Sequence, residues 1–204
     1  MLPMVIERKQ TLVRRRQIVA AARKLIVKYG SEHVTVRRMA KEIGVSEGAI
    51  YRHFRSKREI LSLLIDEIEN TLIGDIENHY TETSGLNVLE VLERIIASHV
   101  SSVQQRSGIS FQVIAEIISF GDKKLNKKIH DVIDDYIGRI REILAYGVKA
   151  GEIREDVDLD AVATLFFSTM QGLVSIWALS NYSFNLQQRY VPIFDLLRQA
   201  IVKR

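Results

Sequence analysis

The segment Thr35 to Lys57, TVRRMAKEIGVSEGAIYRHFRSK, leaves this chain little freedom in how it folds. Val36, Met39, Ala40 and Ile43 recur at the spacing that lines one face of a helix. Thr35 stands where an N-cap hydroxyl belongs, and Gly44 where a left-handed residue ends the helix. Ser46 then caps a second helix, expected over Glu47 to Phe54. Ile50 and Phe54 lie four apart and point inward, which turns Glu47, Gly48, Tyr51 and Arg52 outward. Two short helices meeting at a tight turn, ringed by Arg37, Arg38, Arg52, Arg55, Lys57 and Arg58, form a helix-turn-helix suited to the DNA major groove.

Charge supports that partner independently of the motif. Residues 1–58 hold 15 Lys or Arg against 4 Asp or Glu, a net of +11, while the remaining 146 residues hold 14 against 21, a net of −7. The whole-chain value of +4 conceals this division. A basic segment joined to an acidic one is what a nucleic-acid module attached to a separate domain shows. A membrane-surface helix would set Trp or Phe opposite its cations, and residues 1–34 contain neither.

The motif resembles the DNA-binding domain of the Tet repressor (TetR) family of bacterial transcriptional regulators. Carrying the resemblance are Thr-Val-x-x-Met-Ala at 35–40, Gly-Val-Ser at 44–46, Gly-Ala-Ile-Tyr-x-His-Phe at 48–54 and Ser-Lys-x-Glu-Ile-Leu at 56–61. It implies that Thr35, Tyr51, His53 and Lys57 grip the DNA backbone, with Arg37 and Ser46 beside them. It also implies base reading from Glu47, Gly48, Ala49 and Arg52, where Glu47 accepts from cytosine N4, Arg52 donates to guanine and Gly48 permits close approach. The implied architecture has three helices in an N-terminal domain, expected over residues 1–56. A helical ligand-binding and dimerisation domain follows over 57–204. In that architecture the last two helices pair with a second copy as a four-helix bundle, with Val162, Phe166, Leu173, Ile193, Phe194, Leu197 and Ile201 as candidates.

With 204 residues, 47% of them hydrophobic and 26% charged, the chain can bury a substantial core. It has no cysteine, which excludes disulfides, thiolate zinc sites and cysteine nucleophiles and points to a reducing cytoplasm. The opening MLPMVIERKQ runs into charge too early for a signal peptide. Ala161 to Gln188 carries no formal charge, but polar residues such as Thr164, Ser168 and Gln171 dilute it and no Lys/Arg flank follows. We read it as a helix buried on both sides rather than a membrane span.

Only two prolines interrupt the chain, and the periodicity is helical throughout, so the expected fold is all-α with about nine helices. The first should run from about Glu7 to Tyr29 and end at Gly30. Ser56 and Glu59 suggest a capping box opening a long helix toward Tyr80, followed by a polar loop, Thr81 to Asn87. Five more are expected near 88–106, 109–120, 123–150, 159–180 and 186–202, with Asp158 as an N-cap and Pro192 kinking or delaying the last.

Gly-rich phosphate loops, His-Glu-x-x-His and Gly-x-Ser-x-Gly are all missing from the sequence, so neither catalysis nor a cofactor is expected. His130, Asp131, Asp134 and Asp135 share a helical face; a solvated acidic face paired with Lys123, Lys124, Lys127 and Lys128 explains them better than a metal site. His33 and His79 fall in loop or helix-end settings. The C-terminal two-thirds combines apolar helices with scattered polar groups, the composition of a small-molecule pocket. Phe111, Phe166, Met170 and Trp177 are candidate walls, with His99, Gln112, Glu116 and Tyr136 as polar anchors. Glu116 stands out, since a carboxylate amid Val113, Ile114, Ala115, Ile117 and Ile118 is costly to bury alone.

The expected function is therefore a cytoplasmic DNA-binding regulator. It would hold a double-stranded, palindromic operator as a homodimer through its last two helices, without membrane or metal, and would answer a small apolar or amphipathic effector. Two alternatives remain: the same fold controlled by a protein partner, which a solid interior would favour, and a helical-bundle enzyme or lipid carrier.

Overall fold

The computed structural model describes residues 2–29, 34–81, 87–106 and 108–203. Among them are nine helices and no strand: α1 (Leu2–Tyr29), α2 (Val36–Glu42), α3 (Glu47–Tyr51), α4 (Lys57–Thr81), α5 (Val88–Gln105), α6 (Ile109–Phe120), α7 (Lys123–Lys149), α8 (Leu159–Leu179) and α9 (Leu186–Ile201). Gly30, His33 and residues 82–86, expected to end a helix or form loops, lie outside the described residues.

Local chemistry sets the helix ends. Thr35 Oγ1 accepts from Arg38 N at 3.2 Å and Ser46 Oγ from Ala49 N at 3.2 Å, as their N-cap positions require. Gly44 adopts φ +69, the left-handed region open to a residue without Cβ. The reciprocal capping box stands at Asn87 and Glu90: Asn87 Oδ1 accepts from Glu90 N at 2.9 Å while Glu90 Oε2 accepts from Asn87 N at 3.3 Å. At the head of α4, Glu59 reaches back to Arg55 N at 2.8 Å, one residue earlier than the Ser56 pairing that the sequence suggests. Asp158 caps α8 through Ala161 N at 3.0 Å. Other boundaries move: α1 starts at Leu2, α3 stops at Tyr51 with Arg52 as its C-cap, and α9 runs through Pro192.

The chain forms two compact units. The first contains Met1–Ile68 and Gln112–Ile129, the second Glu69–Phe111 and His130–Arg204. This grouping by compactness differs from the division after Ser56 read from the sequence, because α4, α6 and α7 each contribute residues to both.

In the first unit, Ile18, Ala22 and Ile26 of α1 are buried with Met39, Ile50, Phe54, Leu61 and Ile65. In the second, the C-terminus is tied back: Arg154 N donates to Ile201 O and Lys203 N to Glu152 O, both at 3.0 Å. Glu152 also accepts from Val88 N at 2.6 Å and so caps α5 from outside it. At Gly147 a Cβ would stand 2.8 Å from Ile153 Cδ1 and 3.0 Å from Val88 Cγ1, so α7 packs closely here and a larger residue would have to displace the Ile153 side chain. Trp177 of α8 is buried and donates Nε1 to Phe184 O at 2.8 Å.

Candidate nucleic-acid interface and buried polar cavity

Burial of Ile50 and Phe54 fixes the orientation of α3. Glu47, Gly48, Tyr51 and Arg52 are left in solvent, with Tyr51 53% exposed, and Thr35, Arg37 and Ser46 are exposed beside them; Ala49 is half-buried. Arg15 of α1 braces the exit from α3. Its guanidinium donates to His53 O at 2.6 Å, covers the Phe54 ring at 4.4 Å and lies 3.7 Å from Glu59. Such bracing presents the outward side chains from a rigid support, as groove recognition needs.

Two residues matched to backbone-gripping positions are not free in solvent. His53 is half-buried and its Nδ1 has no hydrogen-bond partner. Burial first, then Arg14, Arg15 and Arg52, hold its imidazole below the ordinary value near 6.5. Lys57 pairs through Nζ with Glu116 of α6 and lies 5.5 Å from the centre of the Phe120 ring. Glu116, 3% exposed, is the one charged residue buried among the described residues, and Lys57 compensates it. For Glu116, expected among the pocket anchors, the chain meets the cost of a carboxylate in an apolar helix with a cation from α4. Arg58 pairs likewise with Asp122, whose Oδ1 also accepts from Lys124 N and Leu125 N at 3.0 and 3.1 Å. Burial raises the Asp122 carboxyl, but the Leu125 N–H, the Arg58 guanidinium and the Lys124 N–H outweigh it and hold it below the usual range. Lys128 completes the set, bound to Asp66 and, at 2.8 Å, to Ser62 Oγ, rather than to the acidic face of α7. On that face His130, Asp131, Asp134 and Asp135 are exposed, and Asp135 accepts from Arg139 at 3.0 Å.

The second unit encloses a void of about 10 Å³ lined by Ile96, His99, Tyr136, Phe166, Phe167 and Met170. Four of the expected pocket residues thus come together: His99, Tyr136, Phe166 and Met170. Phe111, Gln112, Glu116 and Trp177 do not line this void. Sequence reading missed Phe167 and Ile96, and it missed Asp75 of α4, whose Oδ2 lies 3.6 Å from His99 Nδ1. The available signal for Asp75 was a carboxylate between two apolar positions, Leu72 and Ile76, which are 4% and 5% exposed.

The apolar face left uncovered also differs from expectation. Phe166, Leu173, Phe194 and Ile201 are buried in the chain's own core, and Val162, Ile193 and Leu197 are half-buried. Leu165, Ile176 and Leu179 of α8 are instead 50%, 58% and 85% exposed, and Val191 and Leu196 of α9 are 49% and 67% exposed. A helix apolar on two faces gives no sequence signal for which one turns inward. By length and composition α8 is also long and apolar enough to cross a membrane, with a mean hydropathy of 1.5.

Residues 18–64 match the family model of bacterial regulatory proteins, tetR family, and residues 61–200 match that of the YsiA-like protein, C-terminal region. The chain belongs to the tetR family. It is a DNA-binding transcriptional regulator, and the nine-helix fold with its N-terminal helix-turn-helix is the family's. The fatty acid metabolism regulator protein of Bacillus subtilis is 26% identical over 193 residues, covering 95% of this chain and 98% of that protein. The crystal structure of the regulator FadR from Bacillus subtilis in complex with stearoyl-CoA is similar with a TM-score of 0.75 and 25% identity, covering 89% of this chain and 96% of that one. The nucleoid occlusion factor SlmA of a Marinomonas species is 23% identical over 189 residues, covering 93% of this chain and 95% of that protein.

Proposed function

We propose that this regulator is a repressor that binds a palindromic operator as a homodimer and leaves it when a small apolar or amphipathic effector enters the second unit. The observation that carries the reading is the outward face of α3, where Glu47, Gly48 and Arg52 stand free in solvent while Ile50 and Phe54 anchor the helix. Glu47, Gly48, Ala49 and Arg52 read bases, whereas Thr35, Arg37, Ser46, Tyr51 and His53 position the backbone. No catalytic role is assigned, and residues 1–56 form the reading domain, with 57–204 for effector and partner. A protein that reads DNA works in the cytoplasm, beside the chromosome.

The homodimer forms through the uncovered faces of α8 and α9, since Leu165, Ile176, Leu179, Val191 and Leu196 together make a large apolar patch on a monomer. That patch also explains why α8 carries no charge on either side from Ala161 onward. The effector site is the void beside His99 and Tyr136, with Phe166 and Met170 as walls. Similarity to a regulator that binds stearoyl-CoA supports an acyl compound as one class. An effector releases DNA only if it binds the DNA-incompetent state more tightly, and a tenfold loss of operator affinity needs ~1.4 kcal/mol of coupling.

One observation favours the second reading, control by a protein partner: a void of about 10 Å³ holds roughly one water molecule, so any effector must open the core. The deciding experiment is selection of bound fragments from the source genome, then mobility shift on the selected operator with acyl and other apolar compounds. Release that Phe166→Trp abolishes supports the effector reading. Operator binding that no compound alters favours the protein partner.

A further inference from the structure

The void has a polar corner that a purely greasy ligand would leave unsatisfied. His99 and Tyr136 are its polar wall residues, and Asp75 stands behind His99 with its side chain 13% exposed. Asp75 Oδ1 accepts from Ser98 Oγ at 3.0 Å, but Oδ2 has no hydrogen-bond partner. His99 Nδ1, 3.6 Å from that oxygen, has none either. Buried polar atoms without partners are rare because each carries a desolvation cost. Here a carboxylate oxygen and an imidazole nitrogen share that condition and face each other, and of the two residues His99 lines the void. Tyr136 is 3% exposed, and its hydroxyl pKa is pushed up by burial and then by the charge of Asp75.

We propose that this corner selects the effector, admitting an apolar molecule whose buried end is a neutral hydrogen-bond donor, an alcohol or amide, and rejecting a carboxylate. The inference rests on the reading of this void as the effector site. An O–H or N–H donated to the Asp75 carboxylate makes a charge-assisted bond, about twice as strong as a neutral one. A carboxylate brings no donor and sets a second acid near Asp75, where a low dielectric magnifies repulsion. Met170, unbranched, is the wall residue best able to move aside for the apolar remainder.

The test is calorimetric titration of the full chain at neutral pH with octanol, octanamide and octanoate, repeated on Asp75→Asn and Met170→Trp. Octanol and octanamide should bind at least about tenfold more tightly than octanoate. Asp75→Asn should narrow that gap, and Met170→Trp should abolish binding of all three. Octanoate binding as tightly as octanol, yet blocked by Met170→Trp, overturns the selection while leaving the site standing. No binding by any probe, or binding indifferent to Met170→Trp, overturns both. The wild-type ratio decides the matter even where Asp75→Asn fails to fold.

Discussion

The family resemblance assigns Lys57 a grip on the DNA backbone, yet its Nζ is committed to Glu116, and the two roles make opposite predictions. The Glu116 side chain is 4% exposed and that of Lys57 is 24% exposed, so the pair is asymmetric. Removing Lys57 strands a buried charge, which costs ~3–5 kcal/mol. Removing Glu116 strands only a cation whose stem already reaches solvent, so its head can turn to water at a much smaller cost. Exchanging both for apolar residues of similar volume should be close to neutral. The expected order of stability is therefore Lys57→Met with Glu116→Leu near wild type, Glu116→Gln slightly below, and Lys57→Ala far below.

For a chain of this size ~1 kcal/mol moves the melting midpoint by about 2–4 °C, so Lys57→Ala should lower it by roughly 6–20 °C. Circular dichroism melts of the four proteins measure this directly. Operator titrations at several salt concentrations, run below the transition of each variant, then separate the roles. A lysine held by Glu116 leaves the salt slope unchanged when it is removed, whereas one that grips phosphate lowers the slope by ~1. A Lys57→Ala protein as stable as Glu116→Gln, with a shallower slope, would refute the argument.

Arg52→Ala should cost ~1–3 kcal/mol on the selected operator and little on random DNA, read by competition binding; equal losses would demote Arg52 to a phosphate contact. Leu179→Glu and Ile176→Glu should each shift the protein toward monomer in sedimentation, because both place charge on the uncovered face of α8; an unchanged mass would exclude that face as the subunit contact. His53 has its folded pKa depressed below 6.5, so the unfolded chain takes up the proton first. Its contribution to stability is present above pH 6.5 and lost as pH falls below that value. Urea unfolding from pH 8 to 5 should show the decline, and His53→Gln should flatten it. Gly147→Ala should destabilise, although a glycine inside a helix usually gains ~0.5–1 kcal/mol from alanine, because the new Cβ meets Ile153 and Val88; a raised melting midpoint would show that Ile153 can move aside.

The helices were legible because their signals are local. Thr35, Ser46 and Asp158 cap with their own side chains a few residues along, and Gly44 ends α2 by its own conformation, so each could be read from a short window. Where a cap comes from far away, the sequence is silent. Glu152 closing the start of α5 across 64 residues is such a case, and so is Arg15 holding the end of α3 across 38. The end of α3 shows the same limit: the stripe of Ile50 and Phe54 continues past Tyr51, but Phe54 reaches the core from beyond the helix.

The candidate sites divide along the same line. Exposure of Glu47, Tyr51 and Arg52 follows from periodicity once Ile50 is known to be inside, so the outward face of α3 was visible in the sequence. A pocket is a property of pairs of helices, and composition cannot assign partners. Glu116 was singled out as a carboxylate that needs company, and the company it keeps is Lys57, 59 positions earlier in the chain and out of reach of any local pattern. Asp75 passed unnoticed because a single acid between Leu72 and Ile76 on a charged helix looks like a solvated position. Burial beside His99 gives it meaning: the same physical cost that forces Glu116 to take a lysine leaves Asp75 with one oxygen still unpaired. Where Glu116 is satisfied by a lysine, the half-buried Asp75 keeps one oxygen without a hydrogen bond behind His99, a wall of the void, and that is where an effector can supply the missing donor.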